Sequence, residues 1–170
     1  TYSGNYEMDW THSNSVFFDE NSGSVFVSIR NLSRITKIDY ASKDIIWNMG
    51  QTDFMNEIYF EEDLNFSQQH SVQVLDNGNL LFFDNHRYLT PELSRCMEVS
   101  YDETDYSVEI VWEYQLPENM FSGSRGECDR LENGNTLITA GRSGHILEVT
   151  PNHEISWHLE FDNGEVFTSS

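Results

Sequence analysis

The chain has 170 residues, 38% hydrophobic and 14% aromatic, which is enough apolar material for one domain and leaves little length for a second independent core. Its net charge of −20, with only nine Lys and Arg, excludes a phosphate-neutralising nucleic-acid surface and reads as a solvated, self-repelling exterior. No apolar run approaches the roughly eighteen residues of a transmembrane helix, so no membrane span is expected.

The chain opens with Thr1-Tyr2-Ser3-Gly4-Asn5, without an initiator Met or a signal-type apolar stretch, and reads as a piece of a longer polypeptide. Three internal repeats follow. The first unit, 9–51, gives apolar runs at Ser15–Phe18, Val25–Ile29, Ile35–Tyr40 and Asp44–Trp47. A linker is expected at 52–66, with a short helix as one reading of Asp53–Leu64. The second unit, 67–117, gives runs at Val72–Leu75, Asn79–Phe83, Cys96–Tyr101 and Ser107–Tyr114. The third, 121–162, gives Glu127–Leu131, Thr136–Ala140, His145–Val149 and Glu154–Leu159, and Asp162 to Ser170 reads as the start of another linker.

Asn77-Gly78 and Asn133-Gly134 predict two-residue hairpins of type I′, with Asn21-Ser22-Gly23 in the same place in the first unit. Four short antiparallel strands repeated at this spacing predict an all-β fold, a β-propeller of four-stranded blades with about three blades present. Three blades do not close a ring, so either further sequence or another chain is expected to complete it.

In a four-stranded meander successive connections alternate between the two ends of a blade. The segments before each first strand and the loops between second and third strands therefore share one end. His12, His70 and Arg125 lead first strands there, and Arg30, Asn31, His86, Arg87, Arg95, Arg142 and His145 lie in the matching loops. Lys43 and His153 fall at the far end, and His158, on an outer strand, is assigned no role. Arginines supply forked donors for an anion, and imidazole can donate, accept or attack. Cys96 and Cys128 form no CxxC pair, so no zinc site and no metal or cofactor is expected. Their pairing state and the redox compartment stay open. Two sequons, Asn31-Leu32-Ser33 and Asn65-Phe66-Ser67, permit secretion without demonstrating it.

Several of these segments together resemble the aryl-sulfate sulfotransferase (arylsulfotransferase) family. They are Asp9-Trp10-Thr11-His12-Ser13-Asn14, Ser28-Ile29-Arg30-Asn31, Gln69-His70, Asp76-Asn77-Gly78-Asn79-Leu80-Leu81-Phe82-Phe83-Asp84-Asn85, Ser94-Arg95, Val111-Trp112-Glu113-Tyr114 and Asn133-Gly134-Asn135-Thr136. The resemblance spans almost the whole chain. It implies a six-bladed ring that moves a sulfuryl group from a phenolic sulfate ester to an acceptor phenol through a sulfohistidine, without the nucleotide donor PAPS. It further implies His12 and His70 as contacts to the sulfuryl group or leaving oxygen, and Arg87 as the arginine after the family's Asp-Asn-Gly, here Asp84-Asn85-His86. Arg30, Asn31, Arg95, Arg125 and Arg142 are expected to bind substrate, and His145 is the candidate nucleophile, since the third unit begins Arg125-Gly126 without a histidine. An extracellular or periplasmic protein is expected. The alternative is a non-catalytic propeller that binds an anion or glycan, or an extracellular scaffold or assembly subunit.

Overall fold

The structure is a computed structural model and describes residues 9–51, 57–60, 64–162 and 165–168. Three antiparallel sheets run in chain order. The first holds β1 (Ser13–Asp19), β2 (Ser24–Ile29), β3 (Arg34–Asp39) and β4 (Ile45–Gly50). The second holds β5 (His70–Val74), β6 (Leu80–Asp84), β7 (Arg95–Asp102) and β8 (Ser107–Gln115). The third holds β9 (Glu127–Arg130), β10 (Thr136–Ala140), β11 (His145–Val149), β12 (Ile155–Asp162) and β13 (Glu165–Thr168). Each is a simple meander in which every strand pairs with its sequence neighbour, and the first strands β1, β5 and β9 touch across sheets. This is a partial β-propeller, with each blade's first strand innermost.

The tail differs from expectation. Residues 165–168 pair with β12, Glu165 opposite Asp162 and Thr168 opposite Leu159, and so extend the third sheet instead of opening a linker. Most of the segment expected as a short helix, Asp53–Leu64, lies outside the described residues, at 53–56 and 61–63. Its described part, 57–60 and 64, holds no helical turn, and Tyr59 forms a parallel bridge to Asn48.

Period-two alternation decides how the blades stack. In β6, Leu80 and Phe82 enter the apolar layer shared with the first blade, while Leu81 and Phe83 enter the layer shared with the third. Both faces of β6 are therefore covered, and its five residues are all buried. A one-residue slip would exchange these sets, so the run of apolar side chains fixes register from both sides.

The hairpins are three-residue turns, not the two-residue type expected. Gly78 donates its N–H to Leu75 O at 2.8 Å and alone takes positive φ (87°), so Asn77 is free of the left-handed region that type I′ demands. Gly134 repeats this at 2.9 Å to Leu131 O with φ 85°. The physical reason lies in the asparagine side chains. Asn77 and Asn79 both donate to Glu98 Oε1 (3.2 and 2.7 Å), and Asn133 and Asn135 both donate to Glu148 Oε1 (3.2 and 2.6 Å). Each turn thus grips the third strand of its own blade.

Candidate functional site

The end predicted to gather His and Arg carries a continuous hydrogen-bonded rim across all three blades. It begins at Asn31, whose Nδ2 donates to Asp9 O at 2.6 Å and whose Oδ1 accepts from Arg30 at 2.8 Å. Arg30 N donates to His12 O at 3.1 Å, and Gln68 Nε2 donates to Arg30 O at 3.2 Å, which carries the rim onto the second blade. His70 and Asn85 carry it to Arg125 and Ser122, and Arg142 N closes it on Ser122 Oγ at 2.9 Å. Along this rim His12 (φ 49°), Gln68 (58°), Ser71 (54°), His86 (50°) and Arg125 (62°) adopt left-handed backbone. Each such residue costs on the order of 1 kcal/mol, so the conformation persists because the rim's bonds hold it.

His70 is the best defined of the site side chains. Its Nδ1–H donates to Asn85 Oδ1 at 2.6 Å and faces Gln68 O at 3.0 Å, both pure acceptors. Its Nε2 accepts the Arg125 backbone N–H at 3.2 Å. Two acceptors at one nitrogen and a donor at the other fix the neutral Nδ1–H tautomer. Burial holds its pKa below the ordinary histidine value, against the upward pull of Asn85 and Gln68, and nearby Arg30 and His12 push in the same direction as burial. Gln68 links the two blades here, its Nε2 donating to Arg30 O and its carbonyl facing His70 Nδ1. Asn85, fully buried, donates to Ser122 O (2.5 Å) and Arg125 O (2.8 Å), so its amide orientation is settled as well.

His12 is solvent-exposed, its Nδ1 pairs with the Asp9 carboxylate, and its Nε2 makes no hydrogen bond among the described residues. Arg125 and Arg142 are exposed, and their guanidinium groups make no hydrogen bond among the described residues. Arg87 lies beside them, with Nη1 at 3.5 Å from Gly123 O and its guanidinium over the Tyr88 ring at 4.8 Å. Arg95 is placed differently. Its donors are taken by Asp84 and Glu113 and by Leu64 O and Asn65 O, each at 2.9 Å, so it clamps the loop before the second blade to β7. Buried Asp84 also accepts from Ser67 N (2.9 Å), His86 N (2.7 Å) and His86 Nδ1 (3.0 Å).

His145 stands apart from this group. It is 5% exposed, on the face of β11 that turns toward the second blade, and its Nδ1 lies 3.0 Å from His158 Nε2 with the rings stacked. Burial lowers its pKa, Glu160 pulls it up and His158 pushes it down. The structure thus brings His12, His70, Arg30, Asn31, Arg87, Arg125 and Arg142 to one rim, and separates His145 and Arg95 from it by partners of their own.

Asp9 and Asn85, which orient the two rim histidines, were visible only as parts of the Asp9-Trp10 and Asp84-Asn85 motifs. Gln68 carried no signal, because a lone glutamine before a strand is unremarkable in sequence. The missing histidine of the third unit has a steric cause. Gly126 takes φ 137°, and a Cβ there would fall 2.4 Å from the Phe83 ring.

Solved structures share this architecture. A protein of unknown function from Bacteroides caccae aligns over 94% of this chain and 53% of its own, with TM-score 0.58 and 13% identity. A streptogramin B lyase aligns over 92% of this chain and 43% of its own (TM-score 0.56, 16% identity). Virginiamycin B lyase from Staphylococcus aureus aligns over 92% and 44% (TM-score 0.56, 14% identity). At such identities the likeness shows the fold alone, and the chain spans about half the length of these relatives. No curated protein matches the chain. The profile of the arylsulfotransferase (ASST) family, however, matches residues 2–167, nearly the entire sequence and all of the rim. The chain belongs to the arylsulfotransferase family.

Proposed function

We propose that this chain carries the sulfuryl-handling rim of an aryl-sulfate sulfotransferase that moves a sulfuryl group between phenols without PAPS. The observation that carries the reading is the hydrogen-bonded path from His12 through Arg30 and Gln68 to His70 across two blades, with Arg30 N to His12 O at 3.1 Å, Gln68 Nε2 to Arg30 O at 3.2 Å and His70 Nδ1 to Gln68 O at 3.0 Å. Asp9 at Nδ1 leaves His12 Nε2 as the nucleophile. Nε2 attacks sulfur, the S–O(aryl) bond breaks, the phenolate departs and an N–S bond forms. An acceptor phenol then attacks sulfur, the N–S bond breaks, and the phenol's proton passes to a base. His70, held neutral, suits the role of base better than that of donor to sulfuryl oxygens, and takes the proton at Nε2 as the Arg125 amide gives up that lone pair. Donation to those oxygens falls to the guanidinium groups of Arg30, Arg87, Arg125 and Arg142. His145, buried against His158, is a poorer acceptor of the group than His12.

The Cys96–Cys128 disulfide supports an oxidising location, extracellular or periplasmic. The rest of the ring, from further sequence or another chain, completes the channel in this reading. The test is release of nitrophenol from p-nitrophenyl sulfate with phenol as acceptor, using the whole polypeptide. His12→Ala is expected to lose at least about 100-fold in turnover, and His70→Ala a comparable amount. Unchanged turnover in His12→Ala overturns the assignment. One observation favours a second reading, an anion-binding propeller without catalysis: the Arg125 amide already occupies His70 Nε2. Saturable binding of the sulfate ester with no nitrophenol release in the wild type would establish it.

A further inference from the structure

The third blade holds two histidines and a glutamate that the sulfuryl-transfer reading does not use. Cross-strand pairing sets Glu160 directly opposite His145, and His158 directly opposite Leu147, one step along the same face. All three side chains therefore project from one side of the β11–β12 ladder, because cross-strand partners share a face. Their ligand atoms lie within 4.8 Å of one another, graded from buried His145 through half-buried His158 to exposed Glu160. Among the described residues neither imidazole makes any hydrogen bond except the contact between them, His145 Nδ1 to His158 Nε2 at 3.0 Å. Neutral imidazole is the commonest protein metal ligand, and the facing nitrogens of these two rings are directed at each other rather than at backbone acceptors.

We propose that His145, His158 and Glu160 bind one divalent transition-metal cation of borderline softness, with Zn2+ as the reference ion. The two-nitrogen, one-carboxylate donor set is that of such ions, in contrast to the all-oxygen sets of calcium and magnesium. Nitrogens 3.0 Å apart, each about 2.0–2.1 Å from a shared cation, subtend an angle of about 90–97°. That angle lies between octahedral and tetrahedral values, so small ring rotations suffice to seat the ion. Three protein ligands leave at least one position for water. The cation ties β11 to β12 near the end of the third sheet, and the site stands whether or not the rim transfers sulfuryl groups.

Isothermal titration of the untagged, chelator-treated chain with ZnCl2 tests this, with a thermal melt in parallel. One equivalent is expected to bind and to raise the melting temperature. His158→Ala and Glu160→Gln change side chains that are not deeply buried, and each is expected to weaken binding at least about 10-fold. His153→Ala, a histidine outside the cluster, is expected to bind as the wild type does. No saturable binding at up to millimolar zinc, or binding unchanged in His158→Ala, overturns the proposal and leaves the pair as a His–His hydrogen bond.

Discussion

The two seams between blades solve one packing problem in different ways. The seam between the first and second blades is aromatic: Trp47 meets Phe60 at 5.0 Å, Tyr101 at 5.3 Å and Phe26 at 5.8 Å between ring centroids, all edge-on. Glu103, from the β7–β8 turn, latches it by accepting from both Lys37 Nζ and Trp47 Nε1 at 2.6 Å. The seam between the second and third blades is mostly aliphatic, with Leu81, Leu116, Met120, Ile138, Leu147 and Val149, and is stitched by the Cys96–Cys128 disulfide. Its ion pair, Arg130 to Glu98 at 2.8 Å, runs in the opposite sense of charge.

Trp47, Trp112 and Trp157 hold equivalent places on the fourth strands and make the contrast sharper. Trp47 is fully buried and Trp157 is 42% exposed. Trp112 lies between them, donating to Pro151 O at 3.3 Å on the third blade. A repeated tryptophan is thus worth what the next blade brings to meet it.

The largest expected effect is on the aromatic seam. Trp47→Ala should cost about 3–5 kcal/mol in a urea titration, since the cavity opens inside a fully packed cluster; a loss under about 1 kcal/mol would show that the seam is not held by its rings. Replacing both cysteines by Ala should cost about 3–4 kcal/mol from the 32-residue separation they span, read by the same titration. Next come the latches. Glu103→Ala strands a Lys37 side chain that is 8% exposed and an indole N–H, and should cost about 2 kcal/mol. Arg130→Ala should cost about 1 kcal/mol or less, because Glu98 keeps two amide donors. Equal costs in the two variants would erase the distinction between the latches.

A smaller effect is expected from acid. Burial depresses the pKa of His70 in the folded state, so as pH falls below about 6.5 the unfolded chain takes up the proton before the folded one does. Stability should therefore decline from about pH 6.5 down through the lowered folded value, and be flat with respect to this group above it. His145, shifted in the same direction, adds to the slope. His70→Gln should make the decline shallower in pH-dependent melts, and an unchanged slope would remove His70 from it. The smallest effect is expected at Trp157→Ala, within about 0.5 kcal/mol for this chain alone.

All twelve strands anticipated from the apolar runs are present, because period-two patterning and blade burial act on the same residues. The fifth strand of the third sheet was not legible, since Glu165 to Thr168 is too short to separate from loop chemistry. The hairpins were misread because Asn-Gly signals a turn without stating that its asparagines are engaged by a glutamate on the third strand. At the site, topology alone was enough to gather His12, His70 and Arg125 at one end, since alternation of connections is a property of the meander. It did not separate Arg95 or His145 from that group. Whether a loop cation faces a mouth or a neighbouring carboxylate depends on side-chain direction, and the apolar runs did not fix the strand register that sets Asp84 opposite Arg95 or brings His158 beside His145.

The disulfide makes the second and third blades one mechanical body. His70, Asn85 and Arg125 lie on that body and keep their spacing when the fold is strained. His12 and Arg30 belong to the first blade, joined to the second across the seam by ring contacts, the Glu103 latch and the hydrogen bonds of Gln68 and Gln69, none of them covalent. The gap between the two rim histidines is therefore the compliant dimension of the site. A molecule wedged between them would be gripped by a jaw with one fixed and one sprung side.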